Sequence, residues 1–173
     1  AFLYPIQKIK KFLNLKKKYD ILIAFGGFDP KNLSIRYFKI LKNIKKKKIF
    51  ILNKKALSML KKYEDSYNVL KPLMPKNLFL KTLSTSKNYV STPSNIMFEA
   101  FSLNINGIVI PTQNRQKNMG KLFEKLKIAK CLPIYTKLKD RILKNSLKKK
   151  IKIQTKFDIK KAIRMQNKIG SIL

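Results

Sequence analysis

Three short segments of the chain combine glycine, hydroxyl, amide and carboxylate groups in patterns that suit the binding of a phosphate or a sugar. In the first, residues 26–30, Gly26 and Gly27 precede Asp29 and Pro30. Glycine allows close approach to the backbone, and a helix beginning at the aspartate would present free N–H groups to a phosphate. A tight turn with a helix cap would explain the same residues. The spacing matches neither GxGxxG nor a Walker loop, so neither a dinucleotide site nor a P-loop is predicted.

The second segment, residues 91–95, leads into an apolar helix and places Ser94 and Asn95 at its start. Side-chain donors and the positive end of the helix dipole both stabilise an anion at such a position. Glu99 follows one helical turn beyond Asn95, where its carboxylate could accept two hydrogen bonds from a ribose diol. The alternative is a glutamate that only complements the helix dipole.

The third segment, residues 111–118, is rich in side-chain amides. Asn114, Gln116 and Asn118 could recognise sugar hydroxyl groups, because an amide both donates and accepts hydrogen bonds. A polar loop in which Asn114 caps a helix is the alternative interpretation.

The composition excludes several kinds of catalytic site. The chain has no histidine and one cysteine, Cys131, which lies beside apolar residues and is expected to be buried. Neither an imidazole general base nor a Cys/His zinc site can therefore come from this chain. Because Asp29 and Glu99 are isolated carboxylates, we expect no metal, no cofactor and no catalytic group within these 173 residues.

Short apolar strands and amphipathic helices alternate along the chain and must position these segments. Asp29 and Pro30 predict the start of the first helix, Pro75 opens another, and Asp158 caps one near the C-terminus. The alternation predicts an α/β fold, a doubly wound and mostly parallel Rossmann-like sheet. Ligands bind such sheets beyond the carboxyl ends of the strands, where all three segments fall. Strands are predicted over residues 21–25, 48–52, 68–71, 88–91, 107–110, 129–134 and 151–154.

The net charge of +33 comes from 41 basic and 8 acidic residues. Only four of the basic residues, at positions 36, 115, 141 and 164, are arginine, the side chain suited to bidentate recognition of bases and phosphates. Lysine, isoleucine and asparagine share A/T-rich codons, so coding bias explains much of the charge and favours a solvated lysine surface. Weak association with an acidic ligand or membrane is one alternative and dedicated RNA or DNA binding is another, although no specific nucleic acid is expected. No apolar run approaches the roughly 20 residues that span a bilayer.

The three segments, in this order, resemble the C-terminal domain of MurG-like nucleotide-sugar enzymes of the GT-B superfamily. The similarity is strongest to the UDP-sugar hydrolase of pseudaminic acid biosynthesis and its SpsG-type relatives. Residues 25–30 match that family's Phe-Gly-Gly-x-Asp-Pro pattern, Glu99 matches its glutamate after a serine-containing turn, and residues 114–118 align with its Asn-Gln-x-x-Asn. Pro93 and Ser94 replace the family's diglycine.

The resemblance implies the nucleotide-binding half of a two-domain enzyme. Residues 1–19 would be a linker and residues 20–173 the C-terminal nucleotide-sugar-binding domain. The N-terminal domain, which holds the family's catalytic histidine, is expected to be missing from this sequence. The implied ligand contacts are Gly26, Gly27, Ser94 and Asn95 for nucleotide and phosphate, Glu99 for ribose, and Asn114, Gln116 and Asn118 for the sugar.

We therefore expect the UDP-sugar-binding domain of a cytoplasmic UDP-sugar hydrolase of surface-polysaccharide or nonulosonic acid biosynthesis, inactive without its companion domain. The donor-binding domain of a MurG-like glycosyltransferase is the first alternative, since both would hold the same donor. A basic, non-catalytic module that binds RNA or another polyanion is the second.

Overall fold

Six short parallel strands form the sheet in the computed structural model, which describes residues 9–29 and 31–148. They are β1 (Tyr19–Ala24), β2 (Lys48–Leu52), β3 (Asn68–Pro72), β4 (Ser86–Ser91), β5 (Asn106–Val109) and β6 (Ala129–Cys131). Every neighbouring pair is parallel, and the order across the sheet is β3-β2-β1-β4-β5-β6. The predicted doubly wound, Rossmann-like α/β fold class is confirmed.

A helix follows each strand, because a parallel neighbour can be reached only by a crossover that returns the chain to the other end of the sheet. The helices are α1 (Leu33–Leu41), α2 (Lys54–Leu60), α3 (Lys76–Ser84), α4 (Ile96–Ser102), α5 (Asn114–Lys125) and α6 (Asp140–Lys148). Short 3₁₀ turns cover Lys10–Phe12 and Lys61–Tyr63.

Alternate strand residues point to opposite faces of the sheet and build two apolar cores. On one face, Leu22 and Ile49 pack with residues of α3, α4 and α5. On the other face, Ile23 and Phe50 pack with residues of α1, α2 and α6. Burial on both faces explains why the strands are continuous apolar runs and not alternating ones.

Three strand boundaries differ from the prediction by two residues or more. The first and fourth strands begin two residues early, since Tyr19 already pairs with Ser86 in the parallel ladder. The last described strand ends at Cys131 and not at residue 134, and Pro133 has no N–H to continue the ladder. The predicted strand over residues 151–154 and the cap at Asp158 lie outside the described residues.

The first helix begins later than predicted. Asp29 was expected at its N-cap position, but the helix begins at Leu33 and its N-cap residue is Asn32, with a left-handed φ of 48°. Of the predicted linker, the structure describes the part from Ile9 onward. Ile9 and Phe12 are buried in the core beside α3, and the division of the chain at residue 19 remains a prediction.

Candidate functional site

A cleft opens at the carboxyl edge of the sheet, where the strand order reverses between β1 and β4. The chain builds outward from β1 to β3 and then crosses to β4, so the loops after β1 and β4 diverge. Between them lies a cavity of about 540 Å³, here called the main cleft. Its walls come from the first four strands and the segments that follow them: Ala24, Phe25, Gly26, Ile51, Leu73, Met74, Lys76, Phe79, Thr92, Ser94, Asn95, Ile96 and Glu99.

Glu99 places a carboxylate in the wall of the main cleft. It lies in the first turn of α4, and its side chain is only 3% exposed. Its Oε1 accepts a hydrogen bond and forms an ion pair with Nζ of Lys76, at the start of α3, whose side chain is 45% exposed. A carboxylate buried to this depth requires a compensating partner, which Lys76 supplies. An ionised carboxylate offers about four lone-pair positions, so a ligand that donates hydrogen bonds to Glu99 competes with Lys76 for the same two oxygens.

Gly26 and Gly27 have different roles in the loop after β1. Gly26 lines the main cleft and has a φ of 85°, in the left-handed region that favours glycine. Gly27 lies outside the lining, and a Cβ on it would meet Cδ1 of Leu73 at 3.1 Å. The small size of Gly27 therefore serves loop packing in this structure.

The sequence of the first segment suggested a helix start that is free to bind a phosphate, but the structure shows that start occupied. Asp29 is buried; its Oδ1 accepts the N–H of Leu33 at 2.9 Å and its Oδ2 accepts the N–H of Ser34 at 2.8 Å. The carboxylate thus occupies the position that an anion would take at the start of α1. Asp29 therefore caps α1 through its side chain, as the alternative interpretation expected, although the N-cap residue is Asn32. Phosphate contact at Gly26 and Gly27 stays a prediction.

Ser94 and Asn95 both line the main cleft at the start of α4. Their carbonyl oxygens accept the N–H groups of Met97 and Phe98, each at 3.1 Å, and so begin the helix. The Asn95 side chain makes no capping hydrogen bond. Both residues share the lining of the main cleft with Glu99 and Lys76.

A second, smaller cavity of about 280 Å³ lies on the other side of the loop after β1. Asp29 and Gln116 line it, and Phe28, 89% exposed, stands at its edge. Oε1 of Gln116 accepts the N–H and the hydroxyl of Thr112, at 2.8 and 2.7 Å. Phe25 and Thr92 line both cavities, which adjoin at these two residues.

The three predicted amides of the third segment do not converge. Gln116 lines the second cavity, whereas Asn114 and Asn118 are exposed on α5 and line neither cavity. The reason is helical geometry, because residues four apart share a face and the residue midway between them points away. The capping alternative for Asn114 is wrong, since the N-cap residue of α5 is Gln113.

Sequence reasoning missed Lys76 and the apolar wall formed by Leu73, Met74 and Phe79. Lys76 is one of very many lysines, and it lies 23 positions from Glu99 in the sequence. The available signal was its place directly after Pro75, at the carboxyl edge of the third predicted strand. That position puts it on the same edge as the three polar segments.

Cys131 lies away from the main cleft at the end of β6 and is half-buried, not fully buried as expected. Burial raises the pKa of its thiol, which disfavours the reactive thiolate. Among residues 9–29 and 31–148, no cluster of three or more Asp, Glu, Cys or His side chains could hold a metal ion. In the same part of the chain, no helix has the length and apolar character to cross a membrane.

Comparison with known proteins gives no match to a family model or to a curated protein. Solved structures do match. MurG of Acinetobacter baumannii superposes with a TM-score of 0.63 at 14% identity, covering 87% of this chain and 46% of that one. The chain therefore shares the fold of the part of MurG that it covers.

Two further matches are enzymes solved with nucleotides. The UDP-GlcNAc 2-epimerase of Methanocaldococcus jannaschii, in complex with UDP-GlcNAc and UDP, gives a TM-score of 0.54 at 15% identity, covering 96% of this chain and 49% of that one. The glycosyltransferase VinC, in complex with dTDP, gives 0.57 at 11% identity, covering 95% and 39%. At these identities the similarity shows the fold alone. The chain spans less than half the length of each of these three structures.

Proposed function

We propose that the main cleft binds the nucleotide of a UDP-sugar and that the chain is the nucleotide-sugar-binding domain of a two-domain enzyme. The observation that carries the proposal is the Glu99 carboxylate, almost fully buried in the wall of a cavity at the switch point of a Rossmann-like sheet. Lys76 compensates this buried charge in the structure, and a carboxylate held in the wall of a cleft is also a strong acceptor for a ligand's hydroxyl groups. A ribose diol, which donates two hydrogen bonds, is a suitable partner.

The remaining groups of the cleft fit the other parts of the ligand. Ser94 and Asn95 offer donors to a diphosphate at the start of α4. The apolar wall of Leu73, Met74 and Phe79 provides a surface for a base. The sugar would extend past Thr92 toward Gln116 and the second cavity. Gly27, Asn114 and Asn118 lie outside both cavities. They can contact the ligand only if the ligand or a companion domain reaches beyond these cavities.

The reaction we propose is hydrolysis of the UDP-sugar, with the base supplied by a companion domain joined through residues 1–19. This chain offers no imidazole, and its cleft carboxylate already has a lysine partner. The sequence resemblance supports the hydrolase, including its link to polysaccharide or nonulosonic acid biosynthesis. The similarity of fold to MurG and VinC favours glycosyl transfer as a second candidate. In either case we propose a cytoplasmic enzyme, since nucleotide sugars are made there.

The test is binding of nucleotides by the 173-residue chain, measured by titration calorimetry in about 0.3 M salt to screen the lysines. We expect UDP to bind with about −4 to −6 kcal/mol and GDP and ADP more weakly, because a single domain leaves one side of the ligand in water. Glu99→Gln should weaken UDP binding by about 10-fold or more, through loss of charge-assisted hydrogen bonds to the ribose.

The matched control is Glu124→Gln, which makes the same change at an exposed glutamate of α5. It should bind UDP like the wild type. Deoxyuridine diphosphate, which lacks one hydroxyl of the diol, should lose less affinity than UDP in Glu99→Gln. Equal affinity of the wild type for all three nucleotides, or an unchanged Glu99→Gln, would contradict the proposal.

A further inference from the structure

Lys76 stands at a position where helix electrostatics disfavour a cation. It is the first residue of α3, and the positive end of that helix dipole lies beside it. Its ammonium group nevertheless reaches into the main cleft and meets Oε1 of Glu99. The attraction of the buried carboxylate therefore holds the lysine in the cleft.

The two partners differ greatly in their freedom to move. Glu99 is fixed within the packed first turn of α4, whereas almost half of the Lys76 side chain is exposed to solvent. A lysine side chain is a flexible four-carbon stem, so its ammonium group can move between positions. The ammonium can exchange one anionic partner in the cleft for another while the carboxylate stays in place.

We infer that Lys76 is a specificity-determining residue that selects phosphorylated nucleosides over unphosphorylated ones in the main cleft. The inference rests on the proposed function. Without ligand, the ammonium compensates the Glu99 carboxylate. When a ribose diol donates to that carboxylate, it competes with Lys76, and a diphosphate in the same cleft offers the displaced ammonium a new anion.

This exchange gives Lys76 effects of opposite sign on two related ligands. For UDP, the lysine gains a phosphate when it yields the carboxylate, so it contributes to affinity. For uridine, the lysine yields the carboxylate and gains nothing, so it opposes binding. A lysine that only stabilised the fold would affect both ligands in the same direction.

The experiment measures UDP and uridine binding to the 173-residue chain by calorimetry in about 0.3 M salt. Lys76→Gln should weaken UDP binding by about 10-fold, the loss of one charge-assisted hydrogen bond, while uridine binds at least as tightly as to the wild type. Lys76→Arg, which keeps the charge, should stay within about threefold of the wild type for UDP. The control Lys71→Gln removes an exposed lysine of β3 outside the cleft lining and should change neither affinity.

Lys76→Gln leaves Glu99 without its partner, and this variant could fold poorly for that reason. The same comparison is then made in chains that already carry Glu99→Gln. In Glu99→Gln chains, adding Lys76→Gln should still weaken UDP binding by about 10-fold and leave uridine binding unchanged, since the phosphate is then the lysine's anionic partner. Equal weakening of both ligands, or no effect on UDP, would overturn the inference while leaving the proposed function standing. If the wild type binds neither ligand, the proposed function and the inference both fail.

Discussion

Asp29 and Glu99 are both buried carboxylates just beyond parallel strands at the same edge of the sheet. The backbone around each decides what it can do. Both oxygens of Asp29 accept N–H groups at the start of α1, so the protein itself uses this charge. Glu99 lies within the first turn of α4, and its hydrogen-bond partner is the ammonium of Lys76 in the main cleft. Two residues of one chemical type therefore differ in what they contact: Asp29 caps a helix, whereas Glu99 lines the main cleft beside Lys76.

Asp29→Ala should lower the free energy of unfolding by about 1–2 kcal/mol, because it removes both capping hydrogen bonds from α1. Urea unfolding followed by circular dichroism measures the change. Asp140→Ala is the control, since Asp140 lies in the first turn of α6 but is exposed. It should cost less than about 0.5 kcal/mol, the scale of an exposed dipole interaction. Equal losses in the two variants would show that the cap at Asp29 contributes nothing special.

At the scale of elements, the pairing of β4 with β5 depends on one glycine. Gly107 lies opposite Tyr89 in the parallel ladder. A Cβ at residue 107 would come within 2.1 Å of Cε1 and Cζ of the Tyr89 ring, which is fully buried. The ring therefore fills the space that a side chain on β5 would occupy. The strand that carries it, β4, leads into the loop with Ser94 and Asn95.

Gly107→Ala should destabilise the fold by about 1–3 kcal/mol, the usual cost of overpacking a core. The free energy of unfolding in urea measures it. Gly27→Ala is the control, because its new methyl group would meet only the flexible end of Leu73 at the surface, and a smaller loss is expected.

A double-mutant cycle identifies the cause. In a Tyr89→Leu background the ring is gone, so Gly107→Ala should cost much less there than in the wild type. If the cost of Gly107→Ala is the same in both backgrounds, contact with Tyr89 is not its source.

At the scale of the whole molecule, the net charge is +33, and the lysines among residues 9–29 and 31–148 are spread over the fold. Lys16–Lys18 and Lys45–Lys47 precede neighbouring strands at the amino edge of the sheet, opposite the main cleft. Other exposed lysines, such as Lys117 and Lys121, lie along α5. Because lysines occupy both edges and the helix surfaces, attraction to anionic surfaces should follow the net charge and not one patch.

Two variants with the same change in net charge test this distribution, each with four lysines replaced by glutamine. Both should bind acidic phospholipid vesicles more weakly than the wild type and to a similar extent, and binding should vanish as salt rises. Co-sedimentation with vesicles measures the bound fraction. A loss confined to the variant that changes Lys16, Lys18, Lys45 and Lys47, at the amino edge, would reveal a dedicated membrane-binding surface. One variant changes Lys16, Lys18, Lys45 and Lys47, and the other changes Lys117, Lys121, Lys125 and Lys144.

The sequence alone determined the succession of strands and helices and the edge of the sheet where the polar segments lie. Strands buried on both faces must be apolar throughout, and helices that cover a parallel sheet must be amphipathic. Both kinds of element can therefore be recognised from the local pattern of apolar residues. In a parallel sheet, the residues that follow every strand lie on one edge. The predicted convergence of Gly26, Ser94, Asn95 and Glu99 in one cleft follows from that rule.

Only the tertiary structure decided which polar groups remain available within that edge. The pairing of Lys76 with Glu99 depends on how α3 packs beside α4, a contact between segments far apart in the sequence. The capping role of Asp29 depends on where α1 begins, and Pro30 beside it suggested an earlier start. Hydrogen bonds and ion pairs form over a few ångströms, so side-chain partners are fixed by the packing of whole elements and leave little trace in local sequence.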